Sequence, residues 1–122
     1  MKILIALRKN TTTFDTFFIA NVLKKIADVG EVVFNPFNRE FTKEELKETL
    51  KDIDIVFTGW GAHRFDADLL EKANKLKLIA HTGGSISSIE SDVLKQKNII
   101  VLSGNKLYAE SVAEGTLCYI LI

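Results

Sequence analysis

The residues with the clearest chemical potential form a small turn, Gly83-Gly84-Ser85, between an apolar run and a polar segment. Glycines can adopt backbone angles that other residues resist, which lets consecutive N–H groups converge on an anion without any side chain. The polar segment predicts a helix from Ser87, whose free amides and dipole would also favour a negative group. The same residues suit a plain strand-to-helix turn, so an anion site and a simple bend both remain open.

Side chains near this turn offer polar groups but no complete catalytic set. His81 could act as a base or an anion partner, although a lone histidine at a strand end more often only forms a structural hydrogen bond. Trp60 would line the same cleft or simply contribute to packing. Asp66 is better explained as a helix N-cap than as an acid, and Glu114 has no acid or base partner. We therefore expect no catalytic residue in this chain.

Composition excludes several classes of function. The 122 residues fit one domain, and 47% hydrophobic and 26% charged residues are typical of a globular protein. The formal net charge is zero, which argues against a nucleic-acid partner. No segment approaches the roughly 18 apolar residues of a membrane span, so we expect a cytoplasmic protein without membrane contact. The single cysteine, Cys118, and the two histidines lack metal-ligand spacing, which predicts no metal site.

Apolar runs alternate with helical patterns along the chain. Five short apolar runs predict strands over Lys2–Leu7, Glu31–Asn35, Ile53–Trp60, Leu76–His81 and Ile99–Leu102. Helical spacing and capping signals predict helices over Phe14–Val29, from Thr42, over Asp66–Asn74, from Ser87 and over Ala109–Ile122. Such βα units predict an α/β, flavodoxin-like open sheet of five parallel strands, in the order 2-1-3-4-5, with helices on both faces.

Several common functions of this architecture can be tested on the loops that follow the strands. A phospho-receiver needs acidic residues after strand one and an aspartate closing strand three, but Arg8 and Thr58-Gly59-Trp60 stand there. A flavodoxin needs a hydroxyl- and glycine-rich first loop, whereas the Asn10–Thr13 loop has hydroxyls but no glycine. Neither a P-loop nor Gly-x-Gly-x-x-Gly occurs, so the chain carries no dinucleotide fingerprint of its own.

Three segments carry a resemblance to a known family: Asp54–Gly61 (DIVFTGWG), Leu76–Ser85 (LKLIAHTGGS) and Ser111–Glu114 (SVAE). In order and spacing they resemble the N-terminal part of the D-isomer-specific 2-hydroxyacid dehydrogenases. In that family an I-A-x-x-G/A-x-G/S turn follows strand four. A V-A-E helix follows strand five and leads into the nicotinamide-binding domain. The resemblance covers nearly the whole chain.

The resemblance implies a role for the glycine-rich turn. The amides of Gly84 and Ser85 would hold the carboxylate of a small 2-hydroxy or 2-keto acid. Tyr108 stands where many members carry an asparagine near the active site, and it would take over that polar role. Together with the side chains beside the turn, the expected substrate-binding residues are Trp60, His81, Gly83, Gly84, Ser85 and Tyr108.

The resemblance also implies what a single domain cannot do. In the family, the cofactor fingerprint and the catalytic arginine, acid and histidine lie in a second, Rossmann domain, and neither His63 nor His81 corresponds to that histidine. Residues 1–122 would form one flavodoxin-like domain, the substrate-binding half, with 109–122 leading into a missing Rossmann domain. This half would hold no cofactor, would bind its acid weakly and would be catalytically inactive alone. The full-length parent would use NAD or NADP.

The expected last helix carries an apolar set: Val112, Leu117, Ile120, Leu121 and Ile122. Leaving such side chains bare forgoes roughly 1.5–3 kcal/mol each. We therefore expect this helix to fold back against the sheet beside the first helix, or to pair with another copy in a homodimer. Two alternatives to a dehydrogenase half remain: a non-catalytic, self-associating flavodoxin-like scaffold, and a flavin-binding redox protein.

Overall fold

The computed structural model describes residues 1–121 and contains one parallel sheet. Its strands are β1 (Lys2–Ile5), β2 (Glu31–Phe34), β3 (Ile55–Thr58), β4 (Leu78–His81) and β5 (Ile100–Ser103). Their order is β2-β1-β3-β4-β5, and every neighbouring pair is parallel, as the sequence predicts. The helices are α1 (Thr12–Phe17), α2 (Ala20–Val29), α3 (Lys43–Thr49), α4 (Asp92–Gln96) and α5 (Asn105–Leu121), and a 3₁₀ turn covers Leu50–Asp52.

The register places alternate strand residues in two separate cores. Leu4 of β1 pairs with Val56 of β3, which pairs with Ile79 of β4, and all three are fully buried in the larger core. Ile5 and its neighbour Phe57 face the smaller core, which α1 and α2 cover. Because successive side chains of a strand point to opposite faces, the two cores mark the two faces of the sheet. The predicted helices on both faces are therefore present.

The first predicted helix is two helices in the structure. The helix expected over Phe14–Val29 breaks at Phe18, whose φ of −109° and ψ of 56° are not helical, and restarts after Ile19. Phe18 is buried, and its ring meets the Phe57 ring edge-on at 5.6 Å. The second segment, α2, then packs against the smaller core through its own apolar residues.

The connection from β3 to β4 also differs from the prediction, because Asp66–Asn74 forms a series of turns and not a helix. Asp66 caps only the first turn, where its Oδ1 accepts a hydrogen bond from the Leu69 amide at 2.9 Å. Leu69 and the adjacent Leu70 are both fully buried, with Phe65 beside them in the larger core. The helix predicted over Asp66–Asn74 is therefore wrong, because these apolar side chains are buried without a regular helix.

The capping box predicted at the start of α3 is confirmed. The Glu45 amide donates to Thr42 Oγ1 at 3.3 Å, and the Thr42 amide donates to Glu45 Oε2 at 2.9 Å. The Arg39 guanidinium also pairs with this carboxylate at 2.8 Å. The bonds from the Arg39 guanidinium and then from the Thr42 amide lower the pKa of Glu45 to about 2. The Glu45 carboxylate therefore stays ionised well below neutral pH, and it keeps its bonds to Arg39 and to the Thr42 amide there.

Helix α5 does not fold back over the sheet. It begins four residues earlier than predicted, and its first two turns lie near α1, where Tyr108 approaches Phe17. Further along, Val112, Leu117, Ile120 and Leu121 are 56–75% exposed. Ile122, the fifth residue of the expected apolar set, lies outside the described residues. The back-folded arrangement is therefore wrong for this structure, and pairing with another copy remains a prediction.

Among residues 1–121, no helix combines the length and apolar character that a membrane crossing needs. Within the same range, no cluster of three or more His, Cys, Asp and Glu side chains could hold a metal ion.

Candidate functional site

The centre of the candidate site is the carboxyl end of β3 and β4. The hydroxyl of Thr58 and Nδ1 of His81, the last residues of their strands, are hydrogen-bonded at 2.9 Å, and both side chains are buried. The backbone oxygen of Thr58 accepts from both the amide and the hydroxyl of Thr82, at 2.8 and 2.9 Å. These bonds fix where the chain leaves β4 and enters the glycine-rich turn.

Gly83 is required because of close packing. A β-carbon at this position would lie 2.6 Å from Nε2 of His81 and 3.0 Å from Nε1 of Trp60. Neither Gly83 nor Gly84 has a φ in the left-handed region, so the expectation of unusual backbone angles is wrong. Because Gly83 has no side chain, the turn can pass between the His81 imidazole and the Trp60 indole. Three of the expected site residues, Gly83, His81 and Trp60, therefore lie together.

The amides of Gly84 and Ser85 are the groups that can bind an anion. Among the hydrogen bonds between described residues, neither amide donates to a protein acceptor. The next helix, α4, begins only at Asp92 and not at Ser87, whose amide instead donates to Ser85 Oγ at 3.2 Å. The predicted contribution of a helix dipole at the turn is therefore wrong, and the two amides would have to bind an anion without it.

Tyr108 joins the site from α5, but its hydroxyl is already used. Its Oη donates to the backbone oxygen of Thr82 at 2.7 Å, while the Gly104 amide donates to the oxygen of Gly83 at 3.2 Å. These two bonds attach the start of α5 to the turn. Tyr108 thus makes a structural bond to the turn, and the polar contact with substrate that the family resemblance implies stays a prediction.

Sequence reasoning missed two residues that the structure brings to the site. Phe17, the last residue of α1, lies 6.1 Å from Trp60 and 6.4 Å from Tyr108 between ring centres. Asn105, the first residue of α5, has its Oδ1 at 3.2 Å from where a β-carbon on Gly84 would be. The periodicity around Phe17 indicated a core residue, and no local pattern distinguishes a core aromatic from one at a cleft. An apolar cleft of about 390 Å³ lies between these helices.

Burial lowers the pKa of His81 below its ordinary 6.5. The unfolded chain therefore takes up a proton at a higher pH than the folded one. The unfolding free energy should decrease as the pH falls from about 6.5 through the lower, folded pKa, because protonation favours the unfolded state there. Urea unfolding between pH 7.5 and 5 measures this effect, with His81→Gln as the variant that lacks the titration. An equal pH slope in both proteins, or an NMR-titrated His81 pKa above 6.5, would contradict the prediction.

An open parallel sheet with a glycine turn after its fourth strand defines a class of α/β domain in which ligands bind at the carboxyl edge. The chain belongs to the D-isomer specific 2-hydroxyacid dehydrogenase family, because the family's catalytic-domain model matches residues 14–116. The Gly-Gly-Ser turn and the start of α5 both lie inside the matched range.

Individual relatives support this assignment. The chain is 35% identical over 97 residues to D-3-phosphoglycerate dehydrogenase of Methanocaldococcus jannaschii, covering 80% of this chain and 18% of the relative. It is 33% identical over 72 residues to hydroxypyruvate reductase of Thermotoga maritima, covering 59% of this chain and 23% of the relative. The chain thus spans about a fifth of the length of these curated relatives.

Solved structures agree on the fold. An NAD⁺-bound 3-phosphoglycerate dehydrogenase of Entamoeba histolytica matches with a TM-score of 0.63 and 25% identity, over 84% of this chain and 32% of that one. A Pyrococcus horikoshii protein matches with a TM-score of 0.73 and 21% identity, over 95% and 31%. At 21% identity, the likeness to the Pyrococcus horikoshii protein shows the fold alone.

Proposed function

We propose that the chain is the substrate-binding part of an NAD(P)-dependent D-2-hydroxyacid dehydrogenase and that its turn binds the carboxylate of a small 2-hydroxy or 2-keto acid. The observation that carries this proposal is the pair of amides at Gly84 and Ser85, at the carboxyl edge of the sheet, neither of which donates to an acceptor within residues 1–121. Hydrogen bonds from backbone amides to an ionised carboxylate are shorter and stronger than those between neutral groups.

The surroundings of the turn support this role. His81 is held by Thr58, Trp60 lies against Gly83, and the start of α5 is bonded to the turn. The two amides are therefore presented by a framework whose own hydrogen bonds are already made. Such preorganisation reduces the free-energy cost of ordering a binding site when the ligand arrives.

Hydride transfer by this protein requires a dinucleotide held by other residues. The 122 residues contain no Gly-x-Gly-x-x-Gly sequence, and they offer no acid and base set beside the turn. The chain would therefore act together with a dinucleotide-binding domain, with residues 109–122 as the connection to it. Its own contribution would be to bind and orient the acid, so the isolated chain should neither bind NAD(P) nor catalyse the reaction.

The carboxylate site can be tested by NMR titration of the full chain. Pyruvate at millimolar concentration should shift the amide signals of Gly84 and Ser85, because their N–H groups gain a charged acceptor. Pyruvamide has nearly the same size but no charge, and it should shift them much less. The names of the relatives justify adding 3-phosphoglycerate and hydroxypyruvate as further ligands. Shifts elsewhere only, or equal shifts with pyruvate and pyruvamide, would contradict the proposal.

A second candidate function is self-association through α5, which its bare apolar side chains favour. In that case the full chain should sediment as a dimer. The double substitution Leu117→Lys with Ile120→Lys should convert it to a monomer, because the charges would be buried without partners. Asn21→Lys, at an exposed site on α2, is the matched control and should leave the dimer intact. A chain that is monomeric at high micromolar concentration would exclude this function.

A further inference from the structure

A second cavity at the carboxyl edge has no role in the function proposed above. It has a volume of about 190 Å³ and lies next to the ends of β1 and β3, lined by Leu7, Arg8, Thr11, Thr13, Glu40 and Trp60. Two of these residues belong to the polar run Asn10–Thr13, whose hydroxyl groups have no role in the proposed carboxylate site. Its lining therefore combines a cation, an anion, hydroxyl groups and an aromatic ring.

The charged pair in the cavity is loosely held. Arg8 Nε lies 3.7 Å from Glu40 Oε1, beyond hydrogen-bond distance, and both side chains are about half exposed at 48% and 54%. An exposed ion pair of this kind contributes little to stability, so its two partners can turn towards a ligand at low cost. A guanidinium only donates hydrogen bonds and a carboxylate only accepts them.

The two threonines differ in their availability. Thr11 caps α1, because its Oγ1 accepts from the Phe14 amide at 3.1 Å. The hydroxyl of Thr13 has no hydrogen-bond partner among the described residues, and the side chain is partly exposed. Thr13 can therefore both donate to and accept from a ligand in the cavity.

Trp60 connects this cavity to the glycine-rich turn. Its indole lines the cavity, and its Nε1 lies 3.0 Å from the place where a β-carbon on Gly83 would be. Phe17 and Tyr108 hold the ring from the side of the helices, at 6.1 and 6.3 Å between centres. A ligand anchored at the turn can thus extend along the indole into the cavity.

We propose that the cavity binds a hydroxylated carbon chain, so that the substrates of this protein are polyhydroxylated 2-hydroxy or 2-keto acids. This inference rests on the proposed carboxylate site. Glu40 would accept hydrogen bonds from the hydroxyl groups of the ligand, Arg8 would donate to them, and Thr13 would do either. The Trp60 indole would cover the C–H groups of the ligand. A second anionic group would meet the repulsion of Glu40 and a cationic group that of Arg8, so neutral hydroxyls match the lining best.

Two 2-hydroxy acids that differ only in their tails test this inference. D-Lactate carries a methyl group, whereas D-gluconate carries a chain of hydroxyl groups. In NMR titrations of the full chain, both should shift the amides of Gly84 and Ser85, and only gluconate should also shift the Thr13 amide. Gluconate should bind roughly tenfold more tightly, which corresponds to one or two net hydrogen bonds.

Variants separate the cavity from general electrostatic attraction. Arg8→Gln should reduce the gluconate affinity nearly to that of lactate and leave lactate binding unchanged. Lys9→Gln removes a neighbouring charge that lies over the Phe34 ring, and it should affect neither acid. Equal affinities with no shift at Thr13, or equal losses in both variants, would overturn the inference and leave the carboxylate site standing. The absence of any shift at the turn with either acid would overturn both.

Discussion

Replacing Phe65 by alanine should lower the unfolding free energy by about 3–5 kcal/mol, the largest effect expected of any single substitution considered for this protein. The Phe65 side chain is fully buried in the larger core, although it lies in an irregular connection between β3 and β4. Its backbone also joins two loops, since its amide donates to the oxygen of Ile89 at 2.9 Å and its own oxygen accepts from the Ser91 hydroxyl. The cavity left by the ring would be surrounded by side chains that these bonds hold in place.

Urea unfolding at 25 °C measures the loss, with Trp60→Ala as the matched control. Trp60 lies in the same connection, but it is 60% exposed and should cost only about 1 kcal/mol through its aromatic contacts. Should Phe65→Ala fail to fold, Phe65→Leu fills more of the space and gives a smaller, measurable loss. Similar costs for Phe65→Ala and Trp60→Ala would show that the connection is not anchored by Phe65.

Replacing Gly83 by alanine should have the largest effect on the candidate site. The new methyl group would meet His81 Nε2 at 2.6 Å, and Thr58 holds that imidazole in a buried position. We expect a loss of about 1–3 kcal/mol in unfolding free energy, as in other overpacked sites. The pyruvate-induced shifts at the turn should also be lost, because the amides would move with the displaced backbone.

Gly84→Ala is the matched control for this substitution. Its β-carbon would lie 3.2 Å from Oδ1 of Asn105, an exposed side chain that can move away. Its stability should stay within about 1 kcal/mol of the original protein, and its turn should still respond to pyruvate. Equal effects of the two alanines on stability would mean that the gap between the two rings does not constrain the turn.

The sheet could be predicted from the sequence because each strand is a short apolar run, as burial on two faces requires of the central strands. Both faces of β3 show this directly, since Val56 faces one core and Phe57 the other. The edge strand β5 has the same pattern although Ile100 and Leu102 are exposed.

The irregular connection was less predictable. Phe65 and Leu70 stand on either side of the Asp66 cap, as apolar residues do at the start of many helices, but such a local pattern does not show whether tertiary contacts will favour turns over a helix.

The site was predictable to the extent that it depends on chain order. The glycine turn, His81 and Trp60 follow neighbouring strands, so topology alone brings them to one edge of the sheet. The reason for Gly83 was not predictable, because it depends on the positions of two rings, one at the end of β4 and one in the connection after β3. The hydroxyl bond of Tyr108 to Thr82 joins residues far apart in the sequence, and no local pattern indicates it.

The attachment of α5 to the turn has a mechanical consequence. The helix has 17 residues, and Gly104 and Tyr108 bond its base directly to Gly83 and Thr82. A helix of this length spans about 25 Å, so a tilt of roughly 10° at its base displaces its far end by about 4 Å. Helix α5 can therefore act as a lever arm. A small adjustment of the glycine turn would therefore become a displacement of several ångströms at the far end of the helix.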